Sequence, residues 1–211
     1  IRATANMVAR DINHPSILFW AFLNESCSHT PEGEKWYRDI ITAIRALDDS
    51  RLVSYASCHG TRDRCFELAD VGSINMYPGW IAGADQWHTR YLDQIRPEVE
   101  RYAAWASEGP LADKPLLVTE IGACALPGCR DYGRAQWSEE FQADYFREAC
   151  EAILGNPRYA GVTLWQLFDT RTYVNVGGVR TKPLGFNFAG LLDAYRRPKL
   201  AFETVRNCFK R

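Results

Sequence analysis

The sequence lacks the marks of several large protein classes. It has only four histidines, His14, His29, His59 and His88, and none falls in a His-x-His or His-Glu-x-x-His arrangement. A histidine-built metal centre is therefore not expected. No two of the seven cysteines form a Cys-x-x-Cys pair, so thiolate zinc sites lack their usual closely spaced ligands. A chain of this length needs no disulfide staples, and the odd cysteine count reads as reduced thiols in a reducing, cytoplasmic setting. Cys124 and Cys129 flank a Pro-Gly turn and could reach each other; two unpaired loop thiols is the plainer reading. No apolar run approaches the ~20 residues that a membrane helix needs. No basic-then-apolar start marks a signal peptide. Gly-x-Gly-x-x-Gly is missing, which removes the phosphate-binding turn of a dinucleotide-binding sheet. The 25 Lys and Arg nearly cancel the 26 Asp and Glu, so neither nucleic acid nor a membrane surface is an expected partner. Repeats at solenoid spacing and low-complexity tracts are absent.

What is present is a globular composition, 46% hydrophobic and 24% charged, able to bury a core. Aromatic residues reach 13%, including 7 Trp and 10 Tyr. Indole faces stack on sugar rings, so this surplus suits a carbohydrate binder as well as it suits a large aromatic core. The chain begins at Ile1, inside a helical pattern, which reads as a fragment, a processed product or a trimmed chain.

Short apolar runs alternate with amphipathic stretches. Residues 2–10 read as the end of a helix, broken before Pro15. Ile17 to Leu23 is a continuous apolar run, expected to be a strand buried on both faces. Thr30-Pro31 starts a helix whose buried stripe is expected to hold Trp36, Ile40, Ala43, Ile44 and Leu47. Further strands are expected at Leu52–Ala56, Val71–Tyr77, Leu116–Thr119 and Gly161–Trp165. Helices are expected near 61–69, from Asp85 to Trp105 with a kink at Pro97, from Ser138 to Leu154, and from Lys199 to Phe209. Five strand–helix units in alternation indicate a parallel α/β sheet, either doubly wound or a (β/α)8 TIM barrel. Polar residues favour the barrel. Asn24-Glu25, Tyr77, Glu120 and Trp165 to Asp169 fall at the carboxyl ends of different strands, the catalytic rim of barrel enzymes.

Glu25 and Glu120 each directly follow a buried run. Hydrolysis of a glycoside needs two carboxyl groups across one bond, but a strand-end Glu that merely faces solvent is the commoner case. The surrounding motifs decide. Arg10-Asp11-Ile12-Asn13-His14-Pro15-Ser16, the apolar strand and Asn24-Glu25-Ser26 resemble the acid/base signature of glycoside hydrolase family 2. Val118-Thr119-Glu120-Ile121-Gly122-Ala123 resembles that family's nucleophile strand. Trp165-Gln166-Leu167-Phe168-Asp169 and Arg197-Pro198-Lys199-Leu200-Ala201 resemble its last strand and the turn into its last helix.

The resemblance implies a retaining β-glycosidase, β-glucuronidase- or β-galactosidase-like. It implies the part of a TIM barrel that corresponds to strands 4–8, filling residues 1–211. Glu25 would be the acid/base and Glu120 the nucleophile. Asn24 would bind the sugar 2-hydroxyl, Tyr77 would hold Glu120, and Trp165 would floor the pocket. Trp80 is a further pocket candidate, and His59 and Trp87 are weaker ones. A carbohydrate is the implied partner; no cofactor or metal is implied. In β-glucuronidases an Asn-x-Lys pair grips the sugar carboxylate; Asn187 fits its first place, but Ala189 stands where the Lys belongs. Arg171 or Arg180 could substitute, although each reads more simply as a surface charge. Open sheet edges would let the chain associate with a second copy. A catalytically incomplete fragment or sugar-binding remnant is the competing expectation.

Overall fold

The computed structural model describes residues 1–80, 89–172 and 183–210. Trp87 and Arg180 lie outside the described residues, as does the expected helix start at Asp85. Two compact units are present. The first comprises Ile1–Asn75, Tyr102–Thr119 and Arg158–Gly161; the second comprises Met76–Arg101, Glu120–Pro157 and Val162–Arg211.

The first unit is built on a five-stranded parallel sheet in the order β1-β2-β3-β4-β5. The strands are β1 (Phe19–Asn24), β2 (Leu52–Ser57), β3 (Gly72–Asn75), β4 (Leu116–Glu120) and β5 (Tyr159–Val162). The last residues of β4 and β5 count to the second unit. Helices α1 (Arg2–Asp11) and α2 (Pro31–Arg45) join a core with Val8, Trp20, Ile41, Ile44 and Val53. Trp20 is fixed at its polar end, where its indole N–H donates to Asp48 Oδ2 at 2.9 Å. Arg51 reaches the same oxygen at 2.5 Å and also donates to the carbonyls of Ile12 and Ile17. One buried carboxylate thus ties the segment leading into β1 to the start of β2.

Two expectations need correction here. β1 is not buried on both faces. Leu18 is 77% exposed and Ala21 is exposed. β1 is an edge strand, and while Trp20 packs against the helices, Phe19, Ala21 and Leu23 line an open concavity of about 330 Å³ with Ser54 and Ser73. The stripe of α2 is also turned. Gly33, Tyr37, Ile41 and Ile44 are buried, whereas Trp36 is 57% exposed and Leu47 is exposed. The cause is close approach at Gly33, where a Cβ would lie 1.9 Å from the Cys27 carbonyl oxygen. A glycine must face inward there, and Tyr37 and Ile41 follow at helical spacing. The N-terminal cap is as expected, with Thr30 Oγ1 accepting from the Gly33 N–H at 3.0 Å.

β5 covers Tyr159–Val162 rather than Gly161–Trp165. The expected long helix is a 3-10 turn, Thr89–Gln94, followed by α3 (Ile95–Glu108), with Pro97 inside its first turn, where a missing N–H costs little. The expected helix near 61–69 is a single 3-10 turn at Gly60–Arg62.

The second unit packs α4 (Glu139–Leu154) on α5 (Leu200–Cys208) around Phe146, Leu191, Ala201 and Val205. A two-stranded antiparallel ribbon, β6 (Thr170–Arg171) and β7 (Phe186–Asn187), lies in the same unit. Ser138 caps α4 by accepting from the Phe141 N–H at 3.1 Å. Glu139, the first residue of α4, also accepts from the Leu200 N–H at 2.9 Å, which supplies the anion that the amino end of α5 needs. Lys199 is buried. Its ammonium donates to Asp169 Oδ1 at 3.0 Å and to the carbonyls of Ala125 and Phe188 at 2.9 Å each. Burial pushes the Asp169 carboxyl up and the Lys199 ammonium down from their ordinary values, and their mutual attraction opposes both shifts.

Candidate active site

In the first unit the carboxyl end of β1 carries Asn24 and Glu25. The β1–β2 ladder slips between Ala21 and Asn24, a bulge that re-aims the end of the strand. Leu23 sits within this slip. Glu25 then takes a positive φ of 49° while its N–H still donates to the Ala56 carbonyl at 2.9 Å. A β-carbon-bearing residue is strained in that region, and such strain is commonest at functional positions.

Asn75, at the end of β3, joins the two side chains. Its Nδ2 donates to Asn24 Oδ1 and to Glu25 Oε1, both at 2.9 Å. Its Oδ1 accepts from the Thr119 hydroxyl at 2.7 Å. Asn75 is only 4% exposed. The stretch Asn75 to Trp80 leans toward the glucuronidase-like side but gives Asn75 no role of its own; the available signal was an amide inside the apolar run Val71 to Tyr77, where an unpaired polar group is costly. The Cys58 thiol, next to the end of β2, is pushed up by burial and then by the neighbouring Glu25 carboxylate. His59 serves the loop beyond Glu25. Its Nε2 donates to the Ser26 carbonyl at 2.6 Å and lies 3.0 Å from His29 Nδ1.

In the second unit the Tyr77 hydroxyl donates to Glu120 Oε2 at 2.6 Å. The Met76 N–H donates to the Glu120 carbonyl at 2.9 Å, which holds the two backbones in register. Trp165 is 37% exposed, and its N–H donates to the Ile121 carbonyl at 2.9 Å. Its peptide bond to Gln166 is cis. Gly122 lies beneath it; a Cβ there would meet the Trp165 carbonyl oxygen at 1.9 Å. Trp80 is 4% exposed and packs edge-on against Trp137 with ring centroids 5.1 Å apart. Asn187 is buried on β7, where its Oδ1 accepts from the Ala189 N–H at 3.2 Å. Arg171 is exposed on β6, with its guanidinium 5.9 Å from the Phe186 ring centroid.

Among the described residues, no group of three His, Cys, Asp or Glu could hold a metal ion. No helix among them is long and apolar enough to cross a membrane.

A family model described as glycosyl hydrolases family 2, TIM barrel domain, matches residues 1–211. The chain belongs to glycoside hydrolase family 2. It is 29% identical over 202 residues to a β-glucuronidase from Streptococcus agalactiae, covering 94% of this chain and 32% of that one. It is 28% identical over 210 residues to the β-glucuronidase of Mus musculus, covering 97% of this chain and 30% of the relative. Among solved structures, a family 2 β-galacturonidase from Eisenbergiella tayi bound to galacturonate superimposes with a TM-score of 0.89 at 34% identity, over 99% of this chain and 36% of that one. A Bifidobacterium dentium β-glucuronidase complexed with coumarin-3-O-glucuronide gives 0.83 at 28% identity, over 99% and 33%. The chain therefore spans about a third of the length of these relatives, and its sheet is part of a family 2 TIM-barrel domain.

Proposed function

We propose that this domain carries the catalytic carboxylates of a retaining β-glycosidase, on a barrel segment that corresponds to strands 4–8. Glu120 attacks the anomeric carbon as Glu25 gives its proton to the leaving glycosidic oxygen. Water then hydrolyses the covalent glycosyl-enzyme, and Glu25 takes the water's proton. The observation that carries this reading is the Tyr77 hydroxyl on Glu120 Oε2 at 2.6 Å. A charge-assisted bond of this kind orients a carboxylate and keeps it anionic, as a nucleophile requires. Asn24 meets the sugar 2-hydroxyl and the half-exposed Trp165 offers a stacking floor. Asn187 and Trp80 are the further candidates for the pocket wall.

The substrate is a β-glycoside of glucuronide or galactoside type. Relatives named for glucuronides and a galacturonide support a uronic acid. Ala189 in place of the Lys weighs against a glucuronide, because it supplies no cation for the sugar carboxylate. The exposed inner face of β1 favours a second reading, in which these 211 residues alone are catalytically incomplete or only bind sugar.

A panel of nitrophenyl β-glycosides, assayed on the full-length protein and on the isolated chain, separates these readings. Glu120→Gln abolishes turnover. Glu25→Ala spares substrates with good leaving groups and cripples those with poor ones, because only the latter need protonation. Equal loss on both classes would refute the acid/base assignment, and a full-length protein inert on every glycoside would leave the remnant reading.

A further inference from the structure

We infer that Asn75 is a positioning residue, one amide that sets both the proton-delivering oxygen of Glu25 and the orientation of Asn24. The inference rests on the glycosidase reading above and concerns how its acid is aimed. The amide has a single sensible orientation. Its NH2 group faces two acceptors, Asn24 Oδ1 and Glu25 Oε1, at 2.9 Å each, and its oxygen receives the Thr119 hydroxyl at 2.7 Å. Turning it over would set its oxygen against a carboxylate and leave its N–H groups without these acceptors.

Two consequences follow for the reaction. Oε1 of Glu25 already accepts an N–H, so the acidic proton resides on Oε2. Oε2 is then the oxygen that protonates the leaving group and later receives the proton from water. Asn24 has its carbonyl oxygen engaged, so it meets the sugar through its N–H groups. It therefore donates to the oxygen of the 2-hydroxyl and accepts nothing from it. Because Asn75 is buried and its own oxygen is tied to Thr119, this geometry is in place before substrate arrives, which is what preorganised catalysis needs.

Asn75→Asp keeps the shape and replaces the double donor with an acceptor. In the full-length protein, kcat on alkyl β-glycosides, which have poor leaving groups, falls at least about tenfold, while dinitrophenyl β-glycosides lose less than about threefold. Asn24 turns to donate to the new carboxylate and then accepts from the sugar 2-hydroxyl through its carbonyl oxygen, so that contact is kept with its direction reversed. Thr119→Val, which removes the hydroxyl that anchors the Asn75 oxygen, gives the same pattern more weakly and decides the matter if Asn75→Asp does not fold. A loss shared equally by both leaving-group classes marks Asn75 as merely structural and overturns the inference, as does no loss at all. Wild-type protein inert on every glycoside would instead overturn the glycosidase reading and this inference with it.

Discussion

Replacing Tyr77 by Phe removes one oxygen atom and leaves the ring in place. The lost contact is a hydroxyl on Glu120 Oε2 at 2.6 Å, a short hydrogen bond to a charged acceptor. Bonds of that kind are worth about 1.5–3 kcal/mol. Tyr77 is half-buried, so water partly replaces the donor and the lower half of that range applies. At 1.36 kcal/mol per factor of ten, the expected fall in kcat/KM is about 13- to 45-fold. The loss belongs in kcat for the glycosylation step, because a loosely held carboxylate misses its attack geometry while sugar binding through other groups persists. Steady-state kinetics on an aryl β-glycoside, with single-turnover measurements to isolate glycosylation, give the answer. A kcat/KM within about threefold of wild type, or a loss confined to KM, would refute the reasoning.

Three further outcomes follow from the fold. Lys199→Met leaves Asp169 buried without its cation and costs about 3–5 kcal/mol in urea unfolding, and adding Asp169→Asn restores part of it; a cost below about 1 kcal/mol would contradict this. Asp48 is held well below the usual carboxylate range by hydrogen bonds from Ser50, Trp20 and Arg51, so its charge stabilises the fold above the ordinary Asp value of about 3.9 and the benefit fades as pH falls through the depressed folded value. Thermal melts of Asp48→Asn therefore fall below wild type at pH 7 and converge with it in acid; a gap that widens in acid would contradict the sign. Gly122→Ala drives a methyl into the Trp165 carbonyl oxygen, which a Cβ would meet at 1.9 Å; it costs about 1–3 kcal/mol or more and lowers activity, whereas an unchanged melting temperature would show that this contact yields freely.

Much of the fold was legible because its signals are local. Thr30 and Ser138 cap helices through their own hydroxyls, and a cap needs only neighbouring residues. The strand ending at Glu120 was legible from its apolar run. The face of α2 was not, because Trp36 and Leu47 fit a helical stripe as well as Tyr37 and Ile41 do. The choice was made by the close approach of Gly33 to Cys27, a tertiary contact that leaves no periodic trace. The exposure of Ala21 and Leu18 escaped for a related reason, since an apolar run does not reveal that its strand lies at a sheet edge. The strand-end positions of Glu25, Glu120, Asn24 and Tyr77 were legible from the apolar runs before them, and the roles proposed for them come from motif resemblance. Asn75 was not legible, because its partners Asn24, Glu25 and Thr119 are all more than forty residues away along the chain.

The reading of function turns on a sugar becoming covalently attached to one side chain. Full-length protein should be incubated with an activated 2-deoxy-2-fluoro β-glycoside matched to its preferred sugar, digested and mapped by mass spectrometry. One glycosyl adduct, on the peptide that carries Glu120, is the predicted result. An adduct on any other residue, or turnover of the normal substrate that inverts the anomeric centre with no adduct formed, would contradict it.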